Sequence, residues 1–255
     1  MKPHQGSLIK LGLFILIIVT LAIPFGCRQK KSPLTVYVGK GLKSAMEEIA
    51  QSYETRHNTP LSIIYAGSNT LLTTIQKSRK GDVFIPGSKL YLLKLGEQVT
   101  SSQQVAFHIP SFIVRADNSK SLQSFDDLMK KGVRIAVGNK DMCAIGKVAE
   151  TIIAASEEQE LFRRNIVVTC STVNELLDLV INREVDAALA WEDMEKWQGT
   201  EGLQLVSIPE SINVPKEIWV AVLSYSENPK QASLFADFVA TEGKQIFQRH
   251  GFRVQ

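Results

Sequence analysis

The sequence predicts an α/β protein with two lobes, and three observations lead to that prediction. Segments rich in β-branched residues alternate with segments of helical periodicity, which favours parallel βαβ units with helices on both faces of each sheet. This alternation occurs in two separate blocks of the chain. Two extended stretches that contain proline, residues 105–115 and 203–223, bound the second block and would let the chain cross between two lobes twice.

The first block opens with a strand followed by a helix. Residues 34–38 form the predicted strand, and residues 42–56 repeat apolar side chains at helical spacing. The same order continues with a strand at 61–65, a helix at 70–78 and a strand at 82–85.

The second block repeats this order. The predicted strands are 134–137, 166–169 and 187–191, and the predicted helices between them are 146–155 and 173–182. A last helix at 229–248 is expected to pack on the first lobe. We therefore predict that residues 34–107 and 217–255 form lobe 1 and that residues 108–216 form lobe 2.

The N-terminus has the composition of an export signal. Lys2 and Lys10 precede an apolar run at residues 11–25, and no acidic residue precedes it. The run holds 15 residues, whereas a membrane-spanning helix needs about 20. It stops at Gly26-Cys27, and this junction resembles a bacterial lipoprotein signal, in which the cysteine is lipidated after cleavage.

Two alternatives to lipidation remain open. Pro24 stands where the lipoprotein pattern usually has Leu, so an ordinary secretory signal or an uncleaved anchor would also fit. Under the lipoprotein interpretation, residues 1–26 are the signal peptide, Cys27 carries the lipid and residues 27–33 form a tether. The protein is then extracytoplasmic, lipid-anchored to the cell membrane or in the periplasm.

Composition and charge give no support to several classes of function. Without Lys2 and Lys10, 27 of the 29 basic residues remain against 26 acidic ones, so nucleic-acid binding has no basic patch to support it. The four histidines are scattered and no CxxC or HExxH motif occurs, so we predict neither a metal ion nor a cofactor. Cys143 and Cys170 could form a disulfide in an exported protein, but their spacing does not decide this.

Four loops share one design, in which a strand ends in a small or polar turn and a helix begins. Because ligands of open α/β sheets bind beyond the carboxyl ends of the strands, these loops are candidate anion-binding elements. Each presents backbone N–H groups at the positive end of a helix dipole. The loops are Gly39-Lys40-Gly41, Gly67-Ser68-Asn69, Cys143-Ala144-Ile145-Gly146 and Ser171-Thr172-Val173.

Helix capping is the alternative interpretation of these loops. Ser68, Asn69, Ser171 and Thr172 are residue types that cap helices well, and a cap contributes about 1 kcal/mol of stability without any other function. For one loop taken alone capping would be preferred, but four loops in matching places also fit a cleft with hydrogen-bond donors on both walls.

From residue 34 to the C-terminus the chain resembles the substrate-binding proteins of molybdate-type ABC transporters. The resemblance implies a periplasmic-binding-protein type II fold, in which each lobe is a mixed, mostly parallel sheet flanked by helices and the ligand lies in the interlobe cleft. The matching segments are Val36-Tyr37-Val38-Gly39-Lys40-Gly41-Leu42, Met46-Glu47-Glu48-Ile49-Ala50, Tyr65-Ala66-Gly67-Ser68-Asn69-Thr70-Leu71, Gly81-Asp82-Val83-Phe84-Ile85-Pro86-Gly87-Ser88, Cys143-Ala144-Ile145-Gly146, Thr172-Val173-Asn174-Glu175-Leu176 and Val185-Asp186-Ala187-Ala188-Leu189-Ala190-Trp191.

The resemblance also implies a set of ligand-binding positions. The family holds a tetrahedral dianion with hydroxyls and backbone amides, and the matching positions are Ser68, Ile145 and Val173. Two positions depart from the family: Gly41 replaces a serine and Trp191 replaces a tyrosine. The neighbouring residues that we also place at the site are Lys40, Asn69, Cys143, Ala144 and Thr172.

The predicted function is the extracytoplasmic substrate-binding component of an ABC importer. It would capture a tetrahedral oxyanion, molybdate or tungstate first, and deliver it as a monomer to the permease and its ATPase. The alternatives are an oxyanion-sensing lipoprotein and a binder of sulfate or phosphate. An exported enzyme is disfavoured, because no G-x-S-x-G motif occurs and no histidine lies near the four loops in sequence.

Overall fold

Two five-stranded sheets organise residues 32–142 and 144–254, which are the residues that the computed structural model describes. The predictions for the signal peptide, for Cys27 and for the first part of the tether lie outside the described residues, as does Cys143.

The strands and helices follow one another in the alternating order expected of an α/β chain. The strands are β1 (Leu34–Gly39), β2 (Leu61–Ala66), β3 (Val83–Ile85), β4 (Val99–His108), β5 (Pro110–Arg115), β6 (Ile135–Gly138), β7 (Ile166–Cys170), β8 (Ala187–Trp191), β9 (Leu203–Ser207) and β10 (Lys216–Leu223). The helices are α1 (Lys43–His57), α2 (Ser68–Ser78), α3 (Leu90–Leu93), α4 (Ala144–Ala155), α5 (Gln159–Asn165), α6 (Val173–Ile181), α7 (Pro229–Ala240) and α8 (Glu242–Arg249).

The two sheets have the same internal plan. The first has the strand order β2-β1-β3-β10-β4, and the second has the order β7-β6-β8-β5-β9. In each sheet three neighbouring strands are parallel, and one strand, β10 or β5, runs antiparallel to both of its neighbours. This arrangement confirms the predicted fold class, two mixed sheets flanked by helices. We call each sheet with its helices a lobe.

Each lobe has its own hydrophobic core, because its central strands are buried on both faces. β1 and β6 lie in the middle of their parallel triplets, and almost all of their residues are buried. The face of α1 that contains Met46, Ile49 and Tyr53 packs on the first sheet. The same core contains Phe235 of α7 and Phe247 of α8, so the C-terminal helices cover the first sheet.

Both crossings between the sheets connect their carboxyl edges. β4 ends at His108, and β5 begins two residues later at Pro110, which pairs with Trp191 at the end of β8. β9 ends at that same edge, and β10 begins at Lys216, which pairs with His108. The loops that follow the parallel strands of both sheets therefore face one interlobe cleft.

Some predicted elements differ from the observed ones. The predicted helix 229–248 is two helices, α7 and α8, separated at Thr241, whose φ of −111° and ψ of −83° interrupt the helical path. The first turns of α2 and α4 begin two residues earlier than predicted, at Ser68 and Ala144.

Candidate functional site

The Ser68 loop is held against the loop that follows β3. The hydroxyl oxygen of Ser68 accepts a hydrogen bond from the backbone N–H of Gly87 at 3.1 Å. A Cβ atom on Gly39 would lie 2.9 Å from that same nitrogen, so only glycine fits there. Because the Ser68 oxygen is the acceptor in this bond, its own O–H remains available to donate to a ligand.

The N-terminus of α2 has no side-chain cap. Gly67 is the N-cap residue, and no side-chain hydrogen bond closes this helix start. Ser68 and Asn69 lie inside the first turn, so neither plays the capping role that was their alternative interpretation. Asn69 is exposed. The first backbone N–H groups of α2 are therefore open to an anion.

The first loop has more space than the second. The short 3-10 helix Lys40–Leu42 follows β1 directly, again without a side-chain cap. Lys40 is exposed, and a Cβ atom on Gly41 would lie 3.6 Å from Cε1 of His108, which is ordinary contact distance. The position therefore has room for the small hydroxyl side chain that the resemblance leads us to expect.

The two loops of the second lobe lie side by side at the ends of β6 and β7. The N–H of Asn139 donates to the carbonyl of Cys170 at 2.7 Å. A Cβ atom on Gly146 would lie 2.5 Å from the carbonyl oxygen of Asn139, so this loop packs tightly against the start of α4. The side chain of Ile145 is fully buried in the core, and Ala144 is exposed at the first position of the helix.

The fourth loop does form a helix cap. The hydroxyl oxygen of Thr172 accepts a hydrogen bond from the N–H of Glu175 at 3.3 Å. The carboxylate of Glu175 in turn accepts the N–H of Ser171 at 2.9 Å. Thr172 therefore caps α6, as the alternative interpretation proposed, and half-buried Val173 is the first helical residue.

Trp191 lies where the two lobes meet, and it stacks on His108. The ring centroids are 4.8 Å apart and the planes differ by 19°. Phe252, from the C-terminal segment, also stacks on His108. Its ring centroid lies 5.1 Å from that of His108, and the two planes differ by 25°. His108 thus joins an aromatic residue of the second sheet to the first lobe.

The sequence interpretation missed His108 as a cleft residue. Its ring lies beside Gly41 and Gly87, whose added Cβ atoms would contact it at 3.6 and 3.8 Å. The histidine is distant in sequence from all four loops, and only the register of β4 places it at the carboxyl edge. Its position two residues before Pro110, inside the predicted crossing, is the signal that the sequence offers.

Asp193 is a second missed residue. It is 2% exposed, and its Oδ1 lies 3.6 Å from Nε2 of His108. Burial raises the pKa of the Asp193 carboxyl to about 8 and lowers the pKa of His108 to about 3, so both groups are neutral near pH 7. The neighbouring Glu192 forms a two-pronged ion pair with Arg253 at 2.8 and 2.9 Å.

The arrangement can bind an anion through neutral donors. Hydroxyl and backbone N–H groups face the cleft from the first lobe, and helix N-termini face it from the second. Within residues 32–142 and 144–254, no group of three metal-ligating side chains occurs. Over the same residues, no helix is long and apolar enough to cross a membrane.

Two mixed sheets with a cleft between them are the architecture of the class of solute-binding proteins. The family model for bacterial extracellular solute-binding proteins matches residues 34–253, and the chain belongs to that family. Proteins of this family bind solutes outside the cytoplasm.

Individual relatives agree with this assignment. The chain is 30% identical over 241 residues to a Haemophilus influenzae protein named only as a binding protein, covering 93% of this chain and 97% of the relative. It is 24% identical over 238 residues to the molybdate-binding protein ModA of Mycobacterium tuberculosis, covering 90% and 87% of the two chains. These matches confirm the resemblance to the molybdate-type proteins.

A solved structure has the same fold. It is a substrate-binding domain from Clostridium difficile that has been attributed to a molybdenum ABC transporter. The superposition has a TM-score of 0.77 at 22% identity and covers 88% of this chain and 99% of that one.

Proposed function

We propose that this protein captures a tetrahedral oxyanion, molybdate or tungstate first, in the interlobe cleft and delivers it to an ABC permease and its ATPase. The observation that carries the proposal is the start of α2. This helix N-terminus has no side-chain cap, and the Ser68 hydroxyl beside it accepts its hydrogen bond from Gly87. The Ser68 O–H is therefore free to donate, and its direction is set by the hydrogen bond from Gly87 before a ligand binds.

The second lobe would contribute donors from main-chain amides. The first N–H groups of α4 and α6, at Ala144, Ile145 and Val173, have no partner within their own helices. The buried side chain of Ile145 fixes the backbone at this helix start. Cys143, in the same loop, lies outside the described residues and remains a proposed neighbour of the ligand.

A site built from donors selects against protonated anions. A bound hydrogen phosphate would need an acceptor for its own O–H, whereas fully ionised molybdate, tungstate and sulfate would not. Thr172 does not add to the donors, because its hydroxyl oxygen is engaged in the cap of α6. Its role is to hold the loop that presents Val173.

The anchor is proposed from sequence. A lipid on Cys27, followed by the short tether 27–33, would keep a binding protein close to its permease. Fractionation of cells that express the full chain would test this: Cys27→Ala should release the protein from the membrane fraction, and retention of that variant would contradict lipidation.

Isothermal titration of the purified protein with molybdate, tungstate, sulfate and phosphate tests the main proposal. We expect saturable binding of molybdate or tungstate and weaker binding of phosphate. Binding of sulfate alone would reassign the ligand within the same class. Absence of binding to all four anions would overturn the oxyanion assignment.

The geometry gives no support to an enzymatic role for Ser68. His108 lies near this loop. The Nδ1 edge of its ring lies beside Gly87, and its Nε2 faces Asp193. Among the described residues no hydrogen bond joins Ser68 to this histidine, so the base that a serine nucleophile requires is not in place.

A further inference from the structure

A buried polar pair connects the two lobes directly beneath the proposed anion site. His108 ends β4 of the first lobe, and Asp193 follows β8 of the second. Their side chains are 6% and 2% exposed, and Nε2 lies 3.6 Å from Oδ1. Within the described part of the chain, neither Nε2 nor the two carboxyl oxygens complete a hydrogen bond.

The surroundings of His108 decide which partner has to donate. Burial lowers the pKa of His108, and hydrogen bonding to the Gly87 backbone opposes this effect. The Nδ1 edge of the ring is the one that lies beside Gly87, which favours a proton on Nδ1. A neutral imidazole that donates from Nδ1 has only a lone pair on Nε2. A hydrogen bond across the 3.6 Å gap then requires a protonated Asp193, because an ionised carboxylate has no proton to donate.

We propose that Asp193 donates its proton to Nε2 of His108, and that this pair is a positioning device that holds Trp191 at the anion site. At 3.6 Å the two atoms are just beyond hydrogen-bond distance, so a shift of a few tenths of an ångström between the lobes forms the bond. The stacked rings of His108 and Trp191 then move as one unit. The inference rests on the proposed function only for its effect on anion binding.

The charges around the pair leave Asp193 without a compensating cation. Burial is the main cause of the raised pKa of Asp193 and Glu192 adds to it, while Arg253 is already paired with Glu192. Asp193 lies on the short 3-10 helix Glu192–Lys196, and on that helix Lys196 lies near Glu195, at 3.9 Å. The Trp197 indole lowers the pKa of Asp193 against the effect of burial, although its N–H completes no hydrogen bond among the described residues.

A lysine on the neighbouring strand is the cross-strand partner of the histidine. Lys216 of β10 pairs in register with His108, so the two side chains lie on the same face of the sheet. Burial lowers the pKa of Lys216. Burial, rather than this lysine, lowers the pKa of His108, and it supports the neutral imidazole that the pair requires.

Ionisation of Asp193 should therefore weaken anion binding for two reasons. The carboxylate can no longer donate to His108, and it places a buried negative charge close to the site of a dianion. Burial raises the pKa of Asp193 to about 8, which sets the pH at which this change begins.

The first test measures the tautomer of His108 by nitrogen NMR of histidine-labelled protein without ligand. We expect a neutral ring protonated at Nδ1 between pH 5 and pH 7, on the basis of the lowered pKa. An imidazolium, or a ring protonated at Nε2, would overturn the proposal. This measurement does not depend on anion binding, so it judges the pair even if the proposed function fails.

The second test measures molybdate affinity against pH. For the unmodified protein we expect the molybdate affinity to decline by close to tenfold per pH unit above about 8. The reason is that binding requires the proton on Asp193. Asp193→Asn keeps a donor of the same shape and should bind with a pH-independent affinity close to that of the unmodified protein at pH 7. Asp193→Ala should bind more weakly at every pH.

Glu195→Gln is the matched control, because it removes a neighbouring carboxyl that does not face His108. It should retain the pH profile of the unmodified protein. The proposal is wrong if Asp193→Asn also retains that profile, or if Asp193→Ala binds as tightly as the unmodified protein. Thermal unfolding of all three variants shows whether each is folded under the conditions of the titration.

Discussion

The hydroxyl oxygen of Ser68 lies 3.1 Å from the backbone nitrogen of Gly87 and accepts a hydrogen bond from its N–H. This bond links the loops that follow β2 and β3, and it fixes the direction in which the Ser68 O–H can point. A serine that is held in this way is prepared as a donor before any ligand arrives, so less ordering is needed on binding.

Replacement of Ser68 by alanine should weaken molybdate binding by about tenfold to a hundredfold, the usual effect of losing one hydrogen bond to a charged group. Titration calorimetry at constant pH measures this change. Ser78→Ala, at the other end of α2, is the control and should bind normally. Equal affinities for the two variants would show that the Ser68 hydroxyl does not contact the anion.

Restoring the family residues at the two departures should change which anion is preferred. Gly41→Ser has space, because its Cβ would lie 3.6 Å from Cε1 of His108, and it adds a donor to the first loop. Trp191→Tyr exchanges an indole N–H for a shorter phenol. We expect the ratio of molybdate to sulfate affinity to shift in both variants, as measured by competition titration, while binding itself persists.

Gly146→Ala should strongly destabilise the second lobe. The added Cβ would overlap the carbonyl carbon and oxygen of Asn139, and both are main-chain atoms that cannot rotate away. A loss of about 2 kcal/mol or more in the free energy of unfolding is expected from overpacking of this kind. Chemical denaturation measures it, and Gly41→Ala, which meets no backbone atom, should remain close to the unmodified protein.

The free energy of unfolding should fall as the pH rises from about 6.5 to about 8. The upper limit is the pKa of Asp193 in the folded state. The unfolded chain releases this proton near pH 3.8 and the folded chain holds it to about 8, so the folded state binds more protons in between. Raising the pH through this window therefore favours unfolding.

The loss of stability between pH 6.5 and 8 can be assigned to Asp193, because His108 changes stability only at lower pH. An unfolded histidine gains its proton near pH 6.5, whereas the folded pKa is about 3, so His108 destabilises the fold only on acidification below 6.5. In urea denaturation, Asp193→Asn should lose the decline between pH 6.5 and 8 that the unmodified protein shows. A decline of equal slope in both proteins would assign it to another group.

Much of the fold follows from local patterns. The strand of residues 34–38 and the helix of residues 42–56 are observed within one residue of their predicted ends, because an apolar stripe of period 3.6 and a β-branched run each fit one structure. The break at Thr241 was not foreseen, since the sequence 229–248 is helical in its apolar pattern on both sides of that residue.

The interpretation of the loops needed three-dimensional information. Thr172 and Ser68 are both good capping residues in the sequence, and local pattern does not separate them. The structure makes Thr172 the cap of α6, and it places Ser68 inside α2 with its oxygen on Gly87. That difference depends on the packing of β3 beside β1, which brings residue 87 next to residue 68.

The sequence by itself determined the class of fold, the two crossings and the loops that end the parallel strands, because these follow from periodicity and from turn residues. Only the tertiary structure decided that His108, Trp191 and Asp193 meet beneath one cleft. The physical reason is strand register: a shift of one residue in β4 would turn the His108 side chain to the opposite face of the sheet. The register depends on contacts between residues that are far apart in the chain, such as His108 with Lys216.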